Sequence, residues 1–177
     1  ALRRSEALLE RAGEMVAVGA WEVDLAAMTV RWSSQIYRLY ELPEDTVPTL
    51  ETGLAPFPPE ARTQIEEAIQ EAREHGTPFD LELPFITPKG KPIWVHAIGR
   101  AEAEDGKVVR ITGAMQDVTD RRRTETERRQ SEQTLRFQDA LLAVRDHETD
   151  DLDALYRLAT ELATAAVGVD RASVWFL

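Results

Sequence analysis

The sequence predicts an α+β fold, in which a five-stranded antiparallel sheet carries helices on one face and is flanked by an N-terminal and a C-terminal helix. Five short runs alternate apolar and polar residues with a period of two, as half-buried strands do. Tight turns separate the last three runs, which makes them antiparallel neighbours. Segments with helical periodicity lie between and around the strands.

The first element is a predicted helix over residues 1–18. Its apolar residues Leu2, Leu9 and Val16 recur at helical spacing and form a short seam similar to a coiled coil. Trp94 is expected on the outer face of the sheet, where an uncovered tryptophan patch needs a partner. Either the N-terminal helix covers it, or it joins the seam in the contact of a parallel homodimer.

The period changes to two at residue 20, and residues 20–25 and 28–32 are predicted as the strands of a hairpin. Ser33 and Ser34 offer an N-cap for a short amphipathic helix over residues 35–40. The prolines that follow make the next stretch irregular.

A longer helix is predicted from Pro58 to His75, with Pro59 in its first turn and Gly76 as its end. Three strands follow, and their alternating apolar residues lie in the runs 79–85, 93–97 and 109–115. Pro84 has no N–H for a ladder bond, which predicts an edge strand or a bulge.

Residues 120–145 are predicted as a charged linker helix, because arginines and acidic residues alternate there at helical spacing without glycine or proline. So polar a helix is stabilised mainly by a neighbour, either a second copy or a following domain. Residues 146–177 offer one helix and one strand, which cannot enclose a core. We therefore expect the truncated start of a second domain and a chain cut from a longer protein.

Composition excludes several classes of function. The chain of 177 residues has no cysteine, which removes disulfides, thiolate metal sites, cysteine nucleophiles and flavin photochemistry through a cysteine adduct. Its three histidines are too far apart for a dedicated metal site, and a net charge of -11 disfavours nucleic acid. Phosphate-binding loops, nucleophile motifs and a phospho-acceptor histidine are also missing, so we expect no enzymatic activity in these residues.

No apolar run approaches the roughly 18 residues of a membrane span, and no basic and apolar leader is present. We therefore expect a cytoplasmic location and no membrane contact in this segment.

A set of short motifs in residues 19–119 resembles a PAS domain of the subgroup with a PAC ending. The chain ends this segment with Gly113-Ala-Met-Gln-Asp-Val-Thr-Asp-Arg121, which is similar to the family's G-x-x-x-D-[IV]-T-[ED]-R. The other supporting motifs, in order, are WEVDL (21–25), YRLYEL (37–42), FDLEL (79–83), KGKPIWV (89–95) and DGK (105–107). The sequence departs from the family in two places. It has His96 where many relatives have an arginine, and Leu83-Pro84 where they have an aromatic residue and an arginine. The family's charge pairing across those two strands is therefore not carried over to this chain.

Residues 141–177 resemble the start of a GAF domain, on the run AAVGVDRASVW (165–175). PAS, charged helix and GAF in this order are similar to the input half of bacterial signalling proteins, most often sensor histidine kinases, and also diguanylate cyclases and phosphatases.

The resemblance implies a pocket between the concave sheet face and the helices. Alternation places eight residues toward it, six on strands and two on the facing helix: Trp32, Phe79, Leu81, Val95, Ile111 and Met115, with Tyr37 and Tyr40. The alternative is that these side chains only fill the core. Haem would need an inward axial ligand, whereas His75 sits at a helix end where a cation meets the helix dipole. No cofactor is implied.

Asp117, Thr119 and Arg121 are the predicted relay residues. The resemblance implies that the aspartate and the threonine tie the exit helix to the sheet, and side chains just before a helix can accept its first amide hydrogens. The alternative is a plain helix cap.

The sequence thus predicts a sensory and dimerisation module that relays a signal, with a small molecule as its candidate ligand, to GAF and output domains of the same chain. The alternatives are a structural PAS dimerisation module without a ligand, or the input domain of a diguanylate cyclase or phosphatase.

Overall fold

The structure, a computed structural model, describes residues 17–145 and residue 160. The predicted seam residues Leu2, Leu9 and Val16 lie outside the described residues, and so does the segment that resembles a GAF domain, apart from Thr160. The chain divides into two compact units, residues 1–120 and residues 121–177.

The first unit is built on a five-stranded sheet in which all neighbouring strands are antiparallel, as predicted. The spatial order is β2-β1-β5-β4-β3, so the first strand pairs with the last near the centre. The strands are β1 (Val18–Asp24), β2 (Thr29–Trp32), β3 (Phe79–Ile86), β4 (Pro92–Glu104) and β5 (Lys107–Asp117).

The position of Pro84 agrees with its chemistry. It lies in β3 opposite Trp94, and β3 is an edge strand of the sheet. A proline is tolerated at an edge because its missing N–H costs no ladder bond there. Across the same two strands, His96 Nε2 and Asp80 Oδ1 lie 2.7 Å apart.

The hairpin of β1 and β2 is closed by Asp24. Its Oδ1 accepts hydrogen bonds from the N–H groups of Ala26 (2.9 Å) and Ala27 (2.8 Å), and these bonds lower the pKa of the Asp24 carboxyl. Met28, expected in the second strand, instead has a φ of 53° in the turn.

Three helices cover the inner face of the sheet, α1 (Ser34–Leu39), α2 (Leu50–Leu54) and α3 (Pro59–His75). α3 begins one residue after its predicted start, with Pro58 at the N-cap position and Pro59 in the first turn. Gly76 ends the helix as predicted, at a left-handed φ of 73°. The side chains of Phe85, Ile36, Ile111 and Val95 are fully buried between the two layers.

The predicted role of Ser33 is wrong in one respect. It occupies the N-cap position of α1, but its side chain makes no cap bond. Its Oγ instead accepts a hydrogen bond from the Ala20 N–H (2.9 Å), and its own N–H donates to the Ala20 carbonyl (2.9 Å). The hydroxyl of Ser33 therefore bonds to the backbone of β1 and not to the first turn of α1. Because Ala20 is 13 positions away in the chain, the local sequence pattern does not reveal this bond.

The charged helix is α4 (Thr119–Arg145), which begins one residue before its predicted start. Ion pairs at helical spacing run along its polar surface, including Arg123 with Glu127 (2.8 Å) and Arg129 with Glu125 (2.8 Å). Hydrogen bonds from Arg128 and Arg129 lower the pKa of Glu125 to about 2. Three large apolar side chains on this helix are exposed: Leu135, Phe137 and Leu142.

Candidate functional site: an inner cavity and a strand–helix junction

One cross-strand row spans the inner face of the whole sheet. The strand registers place Trp32, Trp21, Gly113, Gly99 and Phe79 side by side on β2, β1, β5, β4 and β3. Aromatic residues thus occupy the outer strands of this row, and glycines occupy the two strands between Trp21 and Phe79.

The glycines are required by the aromatic rings that lie over them. A Cβ on Gly99 would come within 2.3 Å of the Phe79 ring, and a Cβ on Gly113 within 2.3 Å of the Trp21 ring. The two rings stack on each other with centroids 6.0 Å apart and planes inclined by 15°. Tryptophan and phenylalanine therefore fold inward over the middle of the sheet and form part of a cavity wall.

The cavity lies between this row and the helices and has a volume of about 60 Å³. Four of the eight predicted pocket residues line it: Trp32, Tyr40, Phe79 and Met115. The other four belong to the packed interior around it and are not part of its wall: Tyr37, Leu81, Val95 and Ile111. Its surface is mainly apolar, so it suits a small apolar group.

Sequence reasoning missed several residues of the wall. Trp21 belongs to the first alternating strand, so the same alternation that selected Trp32 could have found it. Gly53 and Leu54 lie on α2, a five-residue helix in a proline-rich stretch without clear periodicity. No local signal would have placed that helix over the sheet.

Trp21 brings a polar atom to this apolar site. Its indole Nε1 is buried and, within the described part of the chain, has no hydrogen-bond acceptor. A buried N–H without a partner costs about 1–3 kcal/mol.

Tyr40 connects the cavity to the core. Its hydroxyl donates a hydrogen bond to the Gly53 carbonyl (2.8 Å), and its ring lies 4.5 Å from Trp32 and 5.0 Å from Phe85, measured between centroids. Burial raises the pKa of the Tyr40 phenol well above its ordinary value of 10.0.

This pKa shift predicts alkaline sensitivity. The unfolded chain loses the Tyr40 proton near pH 10, while the folded chain keeps it to higher pH, so stability is complete below pH 10 and falls above it. We expect Tyr40→Phe to reduce the slope of unfolding free energy against pH by up to about 1.4 kcal/mol per pH unit. Urea titrations between about pH 9 and pH 11 measure this slope. Equal slopes in the wild type and in Tyr40→Phe would show that burial does not raise the pKa of Tyr40.

The second feature of the site is the junction between the sheet and α4. Thr119 Oγ1 accepts a hydrogen bond from the Trp94 N–H of β4 (2.9 Å) and donates one to Asp117 Oδ1 (2.5 Å). The Thr119 N–H also donates to Asp117 Oδ1 (2.9 Å), and the Val118 N–H donates to the Trp94 carbonyl (2.8 Å). The first residue of α4 is therefore held by two adjacent strands at once.

Arg121, the third predicted relay residue, lies in the first turn of α4 and belongs to the second unit. Trp94, the predicted dimer contact, is half-buried on the outer side of β4. Its backbone is part of the junction just described. Its proposed partners on the N-terminal helix lie outside the described residues.

Two classes of feature are absent from the described residues. Within residues 17–145, no helix has both the length and the apolar content that crossing a bilayer requires. The same part of the chain holds no group of three or more side chains arranged to bind a metal ion.

Comparison with known proteins agrees with this geometry. Residues 29–115 match the family model of the PAS fold. The structure resembles a sensory box histidine kinase/response regulator from Burkholderia thailandensis E264, with a TM-score of 0.59 and 25% identity over 72% of this chain and 97% of that one. It also shares its fold with the N-terminal domain of a diguanylate cyclase with PAS/PAC sensor from Marinobacter aquaeolei, with a TM-score of 0.54 and 18% identity over 59% and 98% of the chains.

Among curated proteins, the chain is similar to a probable diguanylate cyclase, DgcE, from Escherichia coli K12. The two are 29% identical over 120 residues, which cover 66% of this chain and 11% of that protein. The chain thus spans about a tenth of the length of this relative.

Proposed function

We propose that this chain is a PAS sensory module, in which the inner cavity receives a signal and the junction at Asp117 and Thr119 passes it to α4. The match of residues 29–115 to the family model of the PAS fold supports the proposal. The observation that carries the proposal is the pair of hydrogen bonds made by the Thr119 hydroxyl. It accepts one from Trp94 on β4 and donates the other to Asp117 at the end of β5.

The same two strands run from the cavity to the junction. Ala97 on β4 and Met115 on β5 face each other in register, and both line the cavity. Two residues further along each strand, Val95 lies opposite Asp117. Two residues of strand span about 7 Å, so a change in the cavity wall has a short path to the start of α4.

A ligand can operate this path only if it binds two states of the junction with different affinity. In one state the Thr119 bonds hold the first turn of α4, and in the other they are broken or lengthened. The charged helix then presents its exposed apolar side chains to its partners differently.

Downstream, we infer a GAF domain and an output domain, most often that of a histidine kinase. The similarity to a sensory box histidine kinase/response regulator supports this output, and the similarity to a probable diguanylate cyclase supports cyclase output as the alternative. A phosphatase was the third output inferred from the sequence. We also propose a cytoplasmic homodimer that uses Leu2, Leu9, Val16 and Trp94.

A second candidate function is a structural dimerisation module without a ligand. The observation that favours it is the size of the cavity, because 60 Å³ is far below the roughly 300–1,000 Å³ of pockets that hold drug-sized ligands. Detection of a small molecule in the purified protein by mass spectrometry separates the two functions.

The relay can be tested without knowing the signal. Met115→Ala enlarges the cavity, and we expect it to speed hydrogen exchange of the amides at residues 119–123 about threefold or more. In an Asp117→Ala background the same substitution should add nothing, because the connection is already broken. In the full-length protein, Asp117→Ala should leave the domain folded and its output unresponsive.

Two controls accompany this measurement. Asp45→Ala removes an exposed carboxylate elsewhere in the domain and should preserve the full effect of Met115→Ala. Thr119→Ser keeps the hydroxyl and should also preserve the effect of Met115→Ala on hydrogen exchange. Thr119→Val removes the hydroxyl and should abolish that effect. If Asp117→Ala leaves the effect of Met115→Ala unchanged, the contact is only a helix cap.

A further inference from the structure

An open groove of about 710 Å³ lies at the end of the sheet that carries the β1–β2 and β4–β5 turns. Its walls come from these turns, from α2 and from the C-terminal half of α3. None of the residues predicted for the pocket or the relay lines it.

The groove and the inner cavity share part of their walls. Val23, Leu50, Leu54 and Ile69 line both spaces. These four apolar side chains are therefore the partition between solvent and the cavity beside Trp21, and a molecule lying in the groove touches the same side chains that close the cavity.

The part of this partition that is easiest to move is α2. This helix has five residues, and none of them is buried. Glu51 Oε2 pairs with Arg62 Nη2 (3.0 Å), and the Gly53 carbonyl accepts the Tyr40 hydroxyl. Leu54 also packs partly buried against the core. The polar restraints on α2, one exposed ion pair and one hydrogen bond, are of the size that a bound ligand can offset.

The charges in the groove differ in how they are paired. Of its two acidic residues, Glu66 accepts a hydrogen bond from the guanidinium of Arg62 (2.8 Å), whereas Glu74 accepts one from the neutral amide of Gln70 and lies 3.9 Å from His75 Nε2. The side chains of its exposed cations Arg73 and Lys107 make no hydrogen bond or ion pair with other residues in the described part of the chain. The groove of this acidic protein therefore offers two available positive charges beside an apolar wall.

The size of the cavity restricts the apolar part of a ligand. An apolar cavity that holds benzene measures about 150 Å³, whereas this one measures about 60 Å³. Any apolar ligand of this size must therefore displace side chains. A planar ring is wide and would have to move several core side chains at once, whereas an unbranched alkyl chain is narrow and needs only the side chains of the partition to move.

We propose that the groove and cavity bind an amphipathic carboxylate with an unbranched alkyl tail. The carboxylate lies in the groove within reach of Arg73 and Lys107, and the tail passes Leu54 and Ile69 toward Trp21. This assignment deepens the proposed function, on which it rests, by naming the chemical class of the signal.

Isothermal titration with sodium octanoate tests the assignment. The double variant Arg73→Gln/Lys107→Gln should weaken octanoate binding about tenfold, since it removes two exposed charge contacts. Octanol, which has the tail without the charge, should bind both proteins equally. The matched control Lys89→Gln/Lys91→Gln removes two lysines from the turn at the other end of the sheet and should leave octanoate binding unchanged.

The tail is tested separately by nuclear Overhauser contacts between the octanoate methyl group and the Trp21 and Trp32 rings, which we expect to observe. Octanoate affinity weaker than about 1 mM, or equal in the wild type and the groove variant, would overturn the assignment. The exchange experiment on Asp117 uses no ligand, so the relay can hold while this assignment fails. Tight octanoate binding without a change in exchange at residues 119–123 would support the assignment and count against the relay.

Discussion

Replacement of Gly113 by alanine is expected to destabilise the sheet domain by about 3 kcal/mol. The new Cβ would lie 2.3 Å from the Trp21 ring and 2.1 Å from the Ile98 carbonyl oxygen. The ring could turn away, but the carbonyl belongs to the backbone of the neighbouring strand. The ladder between β4 and β5 would therefore have to open at the centre of the sheet.

Urea unfolding followed by circular dichroism measures this effect. Gly53→Ala is the matched control, because its Cβ would meet only the Trp32 ring, at an ordinary distance of 3.7 Å. Gly53 lies in α2, where alanine is the better helix former, so this variant should gain up to about 1 kcal/mol. Equal stability of Gly113→Ala and wild type would show that the sheet can relax around the added methyl group.

The second large effect is expected for Phe85→Ala, with a loss of about 4 kcal/mol. The Phe85 side chain has 0% exposure, and its ring meets those of Tyr40 and Phe57 edge to face with centroids 5.0 and 5.2 Å away. Its removal leaves a large cavity between β3 and the helices and also separates Tyr40 from the core. A domain of this size can lose most of its stability in this way.

Ile86→Ala is the control, since Ile86 follows Phe85 on the same strand but faces outward and is 46% exposed. We expect it to cost less than about 1 kcal/mol. The two variants are compared by the midpoint of urea unfolding at constant m-value. If Ile86→Ala costs as much as Phe85→Ala, the core is not where this structure places it.

The candidate site was only partly predictable from the sequence. The junction motif could be located because residues 113–121 resemble the ending of the family. Helix capping agrees with this location, since side chains at a helix start bond nearby amides. The bond from the Trp94 N–H to Thr119 could not be located, since those residues are 25 positions apart. Alternation identified Trp32, Phe79 and Met115 as inward residues but could not separate cavity wall from packed core.

Periodicity alone established the five strands and the helices α1 and α3 of the sheet domain, because the spacing of apolar residues reports the face that each strand or helix buries. The missing N–H of Pro84 predicted an edge strand or a bulge, and the structure shows the edge strand. The tertiary structure decided the rest. It set the pairing of β1 with β5 and the hydrogen bond from the Ala20 N–H to the Ser33 hydroxyl. It also set the stacking of the Trp21 and Phe79 rings over Gly99 and Gly113, and the groove beside Arg73. Each of these depends on residues far apart in the chain, whose proximity is set by packing and not by local pattern.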